Sequence, residues 1–175
     1  GWMFIPLTEY HGGGQAATVE PLCEHLDHYK AMMTENMLAG VQAAYRGKRL
    51  YDTEETKNMV KETVSLYKKY RNILESQIIH IRRPDGRSYD GYLHVNPHIQ
   101  NCGFLVLYNP SDCIICEDIT IPLYYTGIND KAIISLSDRE PVIYPLDRNY
   151  NIKIRINIPK NDFIWYVIRN VEADN

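Results

Sequence analysis

Polar and aromatic side chains that could bind a ligand follow the first two apolar segments of the sequence. Glu9, Tyr10 and His11 come after the first segment, and Tyr45 and Arg46 come after the second. Glu and His can hydrogen-bond hydroxyl groups or transfer protons, and a Tyr ring can stack on an apolar ring face. Such groups suit a sugar, so Glu9, His11 and Arg46 are the candidate substrate-binding residues. The alternative is that Glu9 and His11 only hold the glycine-rich loop that follows them.

Two other motifs could bind a phosphate or a metal, but neither is complete. The glycines at 12–14 lack the ending of a P-loop and the spacing of a dinucleotide fingerprint, so they indicate close backbone approach. His25 and His28 lie three residues apart with Glu24 and Asp27 beside them, a spacing that a metal site can use. The sequence places no third ligand near them. We therefore interpret both histidines as helix-surface or partly buried residues and predict no metal site.

The four cysteines do not form a zinc-ribbon pattern. Cys113 and Cys116 have CxxC spacing, but Cys23 and Cys102 stand alone and supply no second pair. The two isoleucines between Cys113 and Cys116 suggest a strand, in which the two thiols would point to opposite faces. We predict buried thiols in a sheet.

The composition is that of an ordinary globular protein of 175 residues, with 45% hydrophobic and 23% charged residues. The net charge of −3 provides no basic field for nucleic acid or an anionic membrane. No apolar run approaches the roughly 20 residues of a spanning helix. We therefore expect no nucleic-acid partner and no membrane partner. Fourteen tyrosines are consistent with carbohydrate binding, although sheet cores and edges also use Tyr.

The first part of the chain must position the candidate ligand-binding groups. Its apolar runs and helical periodicity predict the order strand, loop, helix, strand, loop, helix, which implies parallel strands. The predicted strands are 2–8 and about 38–44, and the predicted helices are 21–36 and 54–75. In such an array the working groups lie on loops after the carboxyl ends of the strands.

Two details of this part depend on local signals. The segment 37–45 permits a helix, because of its alanines, or a short buried strand, and the loop and helix after it favour the strand. Arg46 then opens the following loop. Asp52 is a good helix cap, and Glu55 sits at the capping-box position three residues later.

From residue 77 the hydrophobic period changes to two, which is typical of antiparallel strands. The clearest case is the segment 152–158, in which isoleucines alternate with polar residues. We predict that Ile152, Ile154, Ile156 and Ile158 face a core while the lysine and arginine between them face outward. About eight short strands in this part suggest a β-sandwich. The other predicted strands are 77–82, 90–95, 103–108, 116–123, 131–136, 141–145 and 163–169.

Several segments together resemble the C-terminal end of a (β/α)8-barrel glycoside hydrolase. The closest likeness is to α-galactosidase-like enzymes and their bacterial relatives, in which a long last barrel helix leads into a C-terminal β-sandwich. The likeness covers residues 2–76, and the sandwich shares only the architecture. The segments that carry it are Phe4-Ile5-Pro6-Leu7-Thr8-Glu9-Tyr10-His11-Gly12-Gly13-Gly14, Asn36-Met37-Leu38-Ala39-Gly40-Val41-Gln42, Arg46-Gly47-Lys48-Arg49-Leu50-Tyr51-Asp52 and Tyr67-Lys68-Lys69-Tyr70-Arg71.

The resemblance implies an α+β chain with two βα units from the end of a TIM-type barrel, over residues 1–76, followed by an antiparallel β-sandwich over 77–175. It implies a retaining hydrolase of α-linked sugars in a parent protein, without a metal or organic cofactor, in the periplasm or outside the cell. The family's catalytic carboxylates lie on earlier strands, so no catalytic residue is assigned. Glu9 and His11 correspond at most to the rim of a sugar site.

Two alternatives to a hydrolase fragment remain at this point. The sandwich could be a non-catalytic module that binds carbohydrate, or a structural domain that braces a neighbour. Carbohydrate is the expected partner. The parallel strands would leave an apolar edge open, so we also expect self-association through the exposed barrel edge, within residues 2–45.

Overall fold

The structure, a computed structural model, describes residues 2–6 and 19–171, and at 2–6, 42–44 and 46 it describes the backbone alone. The chain contains both helices and antiparallel sheets, which agrees with the predicted α+β class. It divides into two compact units, Gly1–Glu75 and Ser76–Asn175. No described helix is long and apolar enough to cross a membrane.

The first unit contains a parallel strand pair and two main helices. Strand β1 (Trp2–Pro6) pairs in parallel with β2 (Gln42–Arg46), so the predicted parallel neighbours are confirmed. A short 3-10 helix (Leu22–His25) leads into α1 (Leu26–Leu38), and α2 spans Glu54–Leu74. The strand–helix–strand–helix order follows the apolar runs and the helical periodicity of the sequence.

Strand β2 begins four residues later than predicted because α1 continues to Leu38. Gly40 then adopts φ +68, a left-handed conformation, and lies against the end of α2. A Cβ at this position would lie 1.9 Å from the Leu74 carbonyl oxygen, so only glycine fits. The shift makes Arg46 the last residue of β2, whereas the sequence predicted it as the first residue of the loop.

Helix α2 begins at Glu54, as predicted, but its N-cap lies one residue after the predicted cap. Thr53 is the N-cap, and its Oγ1 accepts a hydrogen bond from the Thr56 amide at 3.2 Å. Thr56 Oγ1 in return accepts from the Thr53 amide at 3.0 Å, which completes a capping box. The prediction that Asp52 and Glu55 form this box is therefore wrong. Thr56 can take the place of the predicted glutamate because its hydroxyl oxygen accepts the hydrogen bond from the N-cap amide.

A small apolar cluster joins the helices of this unit. Met59, Ile73 and Leu74 of α2 are buried. The basic residues Lys61, Lys68, Lys69 and Arg71 of the same helix are exposed. The buried members of the cluster are Val19, Leu22, Tyr29, Met33 and Met59.

The second unit consists of eight antiparallel strands whose bounds lie within one residue of the predictions. They form a six-stranded sheet in the order β3-β4-β5-β10-β7-β8 and a two-stranded sheet of β6 and β9. The strands are β3 (Gln77–Arg82), β4 (Asp90–Val95), β5 (Gly103–Asn109), β6 (Ile115–Pro122), β7 (Lys131–Leu136), β8 (Val142–Pro145), β9 (Asn151–Ile158) and β10 (Asp162–Asn170).

The inner faces of the two sheets of this unit share one apolar core. The predicted alternation of β9 is confirmed, because its four isoleucines are buried while Lys153 and Arg155 are exposed. Both sheets contribute to the core because each antiparallel strand turns every second side chain inward. Its buried members include Leu93, Leu105, Leu107, Ile121, Ile134, Ile152, Ile154, Ile156, Ile158 and Ile168.

The prediction of buried thiols holds only for Cys102. Cys113 and Cys116 are exposed, and all four cysteines are free. Cys113 lies before β6 begins, and Cys116 occupies the outward face of β6, opposite Asn157. The prediction was wrong because the two isoleucines between Cys113 and Cys116 lie where β6 begins and not in its buried middle.

Candidate functional site

The carboxyl ends of β1 and β2 lie side by side, where the sequence analysis placed the ligand-binding groups. The parallel register pairs Pro6 with Arg46, the last residue of each strand. The backbone of Arg46 therefore occupies the edge at which the predicted loop of Glu9 and His11 begins. Glu9 and His11 lie outside the described residues, and the side chain of Arg46 is not described. Their role in substrate binding stays a prediction.

The loop after β2 is tied to the segment before α1 by polar contacts. Arg49 Nη2 lies 3.1 Å from Glu20 Oε2, an ion pair with half of the Arg49 side chain exposed. The amide of Cys23 donates to Asp52 Oδ2 at 3.1 Å. Burial tends to raise the pKa of Asp52, but the hydrogen bonds from Cys23 and Thr56 outweigh it, so this pKa is lowered. The carboxylate is thus held ionised as a fixed acceptor for the loop.

Two tyrosines of the first unit, Tyr29 and Tyr45, contact the loop after β2 or the helix cluster. Tyr29 is fully buried and donates a hydrogen bond from its hydroxyl to the Leu50 carbonyl oxygen at 2.9 Å. Burial raises the pKa of Tyr29, and the neighbouring Tyr45 and Glu20 raise it further. Tyr45 packs against the helix cluster, and burial raises the pKa of its hydroxyl as well. Tyr45 therefore lies in β2 against the helices and not on the open loop, which corrects the sequence interpretation.

Two buried polar atoms belong to this part of the first unit. The hydroxyl of Tyr45 and Oε1 of Glu20 are buried, and neither has a partner among residues 2–6 and 19–171. Buried polar atoms in native proteins are usually satisfied by protein or ordered water.

The two histidines that the sequence analysis considered as metal ligands lie on the surface of the first unit. His25 and His28 are both exposed. Within the described part of the chain, no three His, Cys, Asp or Glu residues are grouped so that they could hold a metal ion.

The second unit carries a group of exposed aromatic side chains that the sequence analysis missed. Tyr124, Tyr125 and Tyr150, hereafter the tyrosine cluster, are 61%, 60% and 36% exposed. The ring centroid of Tyr124 lies 5.1 Å from that of Tyr125 and 5.4 Å from that of Tyr150, with interplanar angles of 88° and 73°. No local sequence pattern indicates this cluster, because only the pairing of β6 with β9 brings the residues after one strand to those before the other.

Comparisons with known proteins identify related folds but no sequence family. No protein-family model and no curated protein matches the sequence. A GH27 β-L-arabinopyranosidase from Geobacillus stearothermophilus, determined in complex with arabinose, is similar over 97% of this chain and 38% of its own, with a TM-score of 0.57 and 12% identity.

Two further solved structures have similar folds. α-Galactosidase I from Mortierella vinacea matches 94% of this chain and 38% of its own, with a TM-score of 0.54 and 11% identity. The α-amylase from Geobacillus thermoleovorans, complexed with acarbose, matches 83% of this chain and 34% of its own, with a TM-score of 0.55 and 11% identity. This chain therefore spans less than two fifths of these structures. The resemblance to α-galactosidase-like glycoside hydrolases is confirmed at the level of the fold.

Proposed function

We propose that the chain is the C-terminal portion of a glycoside hydrolase that acts on α-linked sugars. The observation that carries this proposal is the parallel β1–β2 pair with its two helices, followed by two antiparallel sheets, in a chain similar over 97% of its length to a GH27 enzyme. In this proposal residues 1–76 are the last βαβα elements of a TIM-type barrel. Residues 77–175 are the β-sandwich domain that follows it.

Glu9, His11 and Arg46 are proposed to contact the sugar at the rim of the barrel. The register that ends β1 and β2 at the same level supports this placement, since loops after neighbouring parallel strands open onto one face. The complexes of the similar structures with arabinose and acarbose support carbohydrate as the partner. The catalytic carboxylates of the proposed retaining hydrolase would come from preceding barrel strands, and the proposed reaction uses no cofactor.

The chain alone is expected to show no turnover of an aryl α-galactoside. Joined to the upstream barrel strands of its parent reading frame, it should support hydrolysis. In that protein Arg46→Ala should raise KM with little change in kcat, because Arg46 binds substrate without taking part in bond cleavage. Lys48→Ala, an exposed change in the next loop, is the matched control.

The assay of the isolated chain also tests the assignment of Glu9. Robust hydrolysis by the purified chain, abolished by Glu9→Gln, would contradict the proposal and make Glu9 catalytic. Equal kinetic effects of Arg46→Ala and Lys48→Ala would remove Arg46 from the substrate site.

The proposed barrel origin also implies self-association. Two parallel strands make a sheet that normally requires further strands, so residues 2–45 are expected to dimerise in the isolated chain. Light scattering should show a larger species for the whole chain than for a chain starting at Gln77. A strictly monomeric whole chain at high concentration would count against the truncated barrel.

The second candidate is a non-catalytic module that binds carbohydrate through its β-sheets. The exposed tyrosine cluster is the observation that favours it. Hydrolysis by the extended protein would separate the hydrolase from this alternative and from a purely structural domain.

A further inference from the structure

The pairing of β6 with β9 brings two separate loops together to form the tyrosine cluster. Pro122, the last residue of β6, pairs with Asn151, the first residue of β9. The amide of Leu123 donates to the Tyr150 carbonyl oxygen at 2.8 Å, which extends the pairing by one step. Tyr124 and Tyr125 therefore follow one strand at the place where Tyr150 precedes the other.

A short 3-10 helix holds Tyr124 and Tyr125 outward. Leu123, before the helix, is fully buried, and Thr126, its last residue, is 2% exposed. The Thr126 hydroxyl donates to the Leu123 carbonyl oxygen at 2.6 Å and so closes the turn. Because both flanking side chains are anchored in the unit, the two tyrosines between them remain on the surface in a fixed arrangement.

Tyr150 is held in a conformation that an aromatic residue rarely adopts. Its φ is +61, in the left-handed region that favours Gly and Asn. Its amide donates to the Asp147 carbonyl oxygen at 3.0 Å, and Asp147 Oδ1 accepts from the amides of Asn149 and Asn151 at 2.8 and 2.9 Å. A strained residue whose ring is still partly exposed gains little from burial, and such outliers concentrate at functional sites.

The rings of the cluster offer both apolar faces and hydroxyl groups. The Tyr124 ring stands at a steep angle to each of the other two rings, so the cluster forms a corner and not a flat surface. A pyranose ring has one face of C–H groups and a rim of hydroxyls, which matches an aromatic face with phenolic hydroxyls around it. The loop beside the cluster, residues 147–149, is Asp-Arg-Asn and supplies polar and not aliphatic neighbours.

We propose that the tyrosine cluster is a carbohydrate-binding site that stacks a pyranose ring of an oligosaccharide. The site lies wholly within the unit Ser76–Asn175, whereas the β1–β2 edge belongs to the unit Gly1–Glu75. It does not depend on the proposed hydrolase activity, because none of its residues belongs to the βαβα elements. Aromatic faces tolerate different sugars, so the site selects pyranose rings more than one particular linkage.

Calorimetric titration of the whole chain with maltoheptaose, and separately with an α-galactosyl mannotriose, tests the site. We expect saturable binding of at least one oligosaccharide. Tyr124→Ala should weaken it about tenfold or more, as expected when a stacking ring is lost. Tyr51→Ala is the matched control, because Tyr51 is a similarly exposed tyrosine, 47% exposed, in the other unit, and it should bind like the unchanged chain.

Tyr150→Asn separates a binding role from a structural one. Asn accepts the left-handed conformation, so this variant should unfold at the same or a higher temperature while losing affinity about tenfold. If Tyr150 served only stability, Tyr150→Asn would lower the unfolding temperature and leave the affinity for the oligosaccharide unchanged. That result would overturn the proposal.

Two other results would also overturn it. The first is that neither oligosaccharide binds the whole chain. The second is binding that survives Tyr124→Ala and Tyr150→Asn but is lost in Arg46→Ala, which would place the sugar at the β1–β2 edge. That result would support the proposed hydrolase site while removing the tyrosine cluster, so the failures of the two proposals can be told apart.

Discussion

The two units of the chain differ in how they complete their sheets. In the second unit, a six-stranded and a two-stranded antiparallel sheet turn their inner faces toward one apolar core. In the described part of the first unit, β1 and β2 pair only with each other, and the helices supply the small cluster. Parallel strands are normally covered on both faces and accompanied by further strands. The second unit therefore covers its own sheet faces, whereas the proposed barrel origin leads us to expect that the first unit requires further strands.

The largest expected effect on stability comes from a change in the core of the second unit. Ile154 is 4% exposed and faces that core, so Ile154→Ala should lower the free energy of unfolding by about 2–5 kcal/mol. Arg155→Ala, the next residue on the exposed face, should leave the free energy of unfolding nearly unchanged, since its ion pair with Asp118 is solvent-exposed. Urea unfolding measures both variants. A loss near zero at Ile154 would mean that the two sheets do not share a packed core.

A change at Gly40 tests the first unit alone. Gly40→Ala should cost about 2–4 kcal/mol, because the residue is left-handed and its new Cβ would meet the Leu74 carbonyl oxygen. Hydrogen exchange should show faster exchange in α1 and α2 while β5 and β9 keep their protection.

Gly86→Ala is the control for Gly40→Ala. Gly86 has a similar φ of +71, but nothing lies within 4 Å of the new Cβ. It should cost only about 1 kcal/mol, the conformational part of the effect. Equal losses in the two variants would contradict the close approach of Gly40 to the end of α2.

A smaller effect is expected from the cap of α2. Thr53→Ala removes one half of the capping box and should cost about 1 kcal/mol, with faster amide exchange in the first turn of the helix. Thr120→Ala, at an exposed position of β6, should change stability by less. If α2 keeps its protection without the Thr53 hydroxyl, then Asp52 or Thr56 holds the helix start by other contacts.

The smallest effect concerns pH and the loop before β9. Hydrogen bonds from the amides of Asn151 and Asn149 lower the pKa of Asp147 below its usual 3.8. A depressed folded-state pKa stabilises the fold above the unfolded value, and this stabilisation is lost as the pH falls from about 4 through the folded-state pKa. Urea unfolding between pH 5 and about 2 should therefore show a shallower acid decline for Asp147→Asn. Identical pH curves would show that Asp147 does not carry this dependence.

The sequence predicted the strands better than the sites because alternation is a local signal. The alternation of isoleucines with polar residues in β9 indicates which side chains are buried, and it needs only seven residues to do so. The turns between strands contain Gly, Pro, Asn and Asp, which mark where the strands end. The end of α1 was harder to predict, because the need for glycine at position 40 comes from the Leu74 carbonyl group, which lies far along the chain. The same holds for the capping box, where Asp52 and Thr53 are both good caps and the geometry decides between them.

The position of a candidate site residue could be predicted only where that residue lies at the end of a strand. The place of Arg46 at a strand end could be predicted, because the ends of neighbouring parallel strands lie at one edge, while its role in substrate binding stays a prediction. The tyrosine cluster was missed because Tyr124 and Tyr150 become neighbours only through the register of β6 and β9. The exposed cysteines were misjudged for a related reason, since an apolar pair does not reveal where a strand begins.

The order of the six-stranded sheet has a consequence for how the second unit forms. β10, the last of its strands in the sequence, lies between β5 and β7 and joins the group β3-β4-β5 to the pair β7-β8. A growing polypeptide that has emerged only as far as Lys160 would therefore contain two incomplete pieces, each with an unpaired edge. These long-range pairings are slow to form and leave the nascent chain open to misassembly until synthesis passes Asn170. The strand of this sheet that is synthesised last, and not an earlier one, therefore joins its two groups of strands.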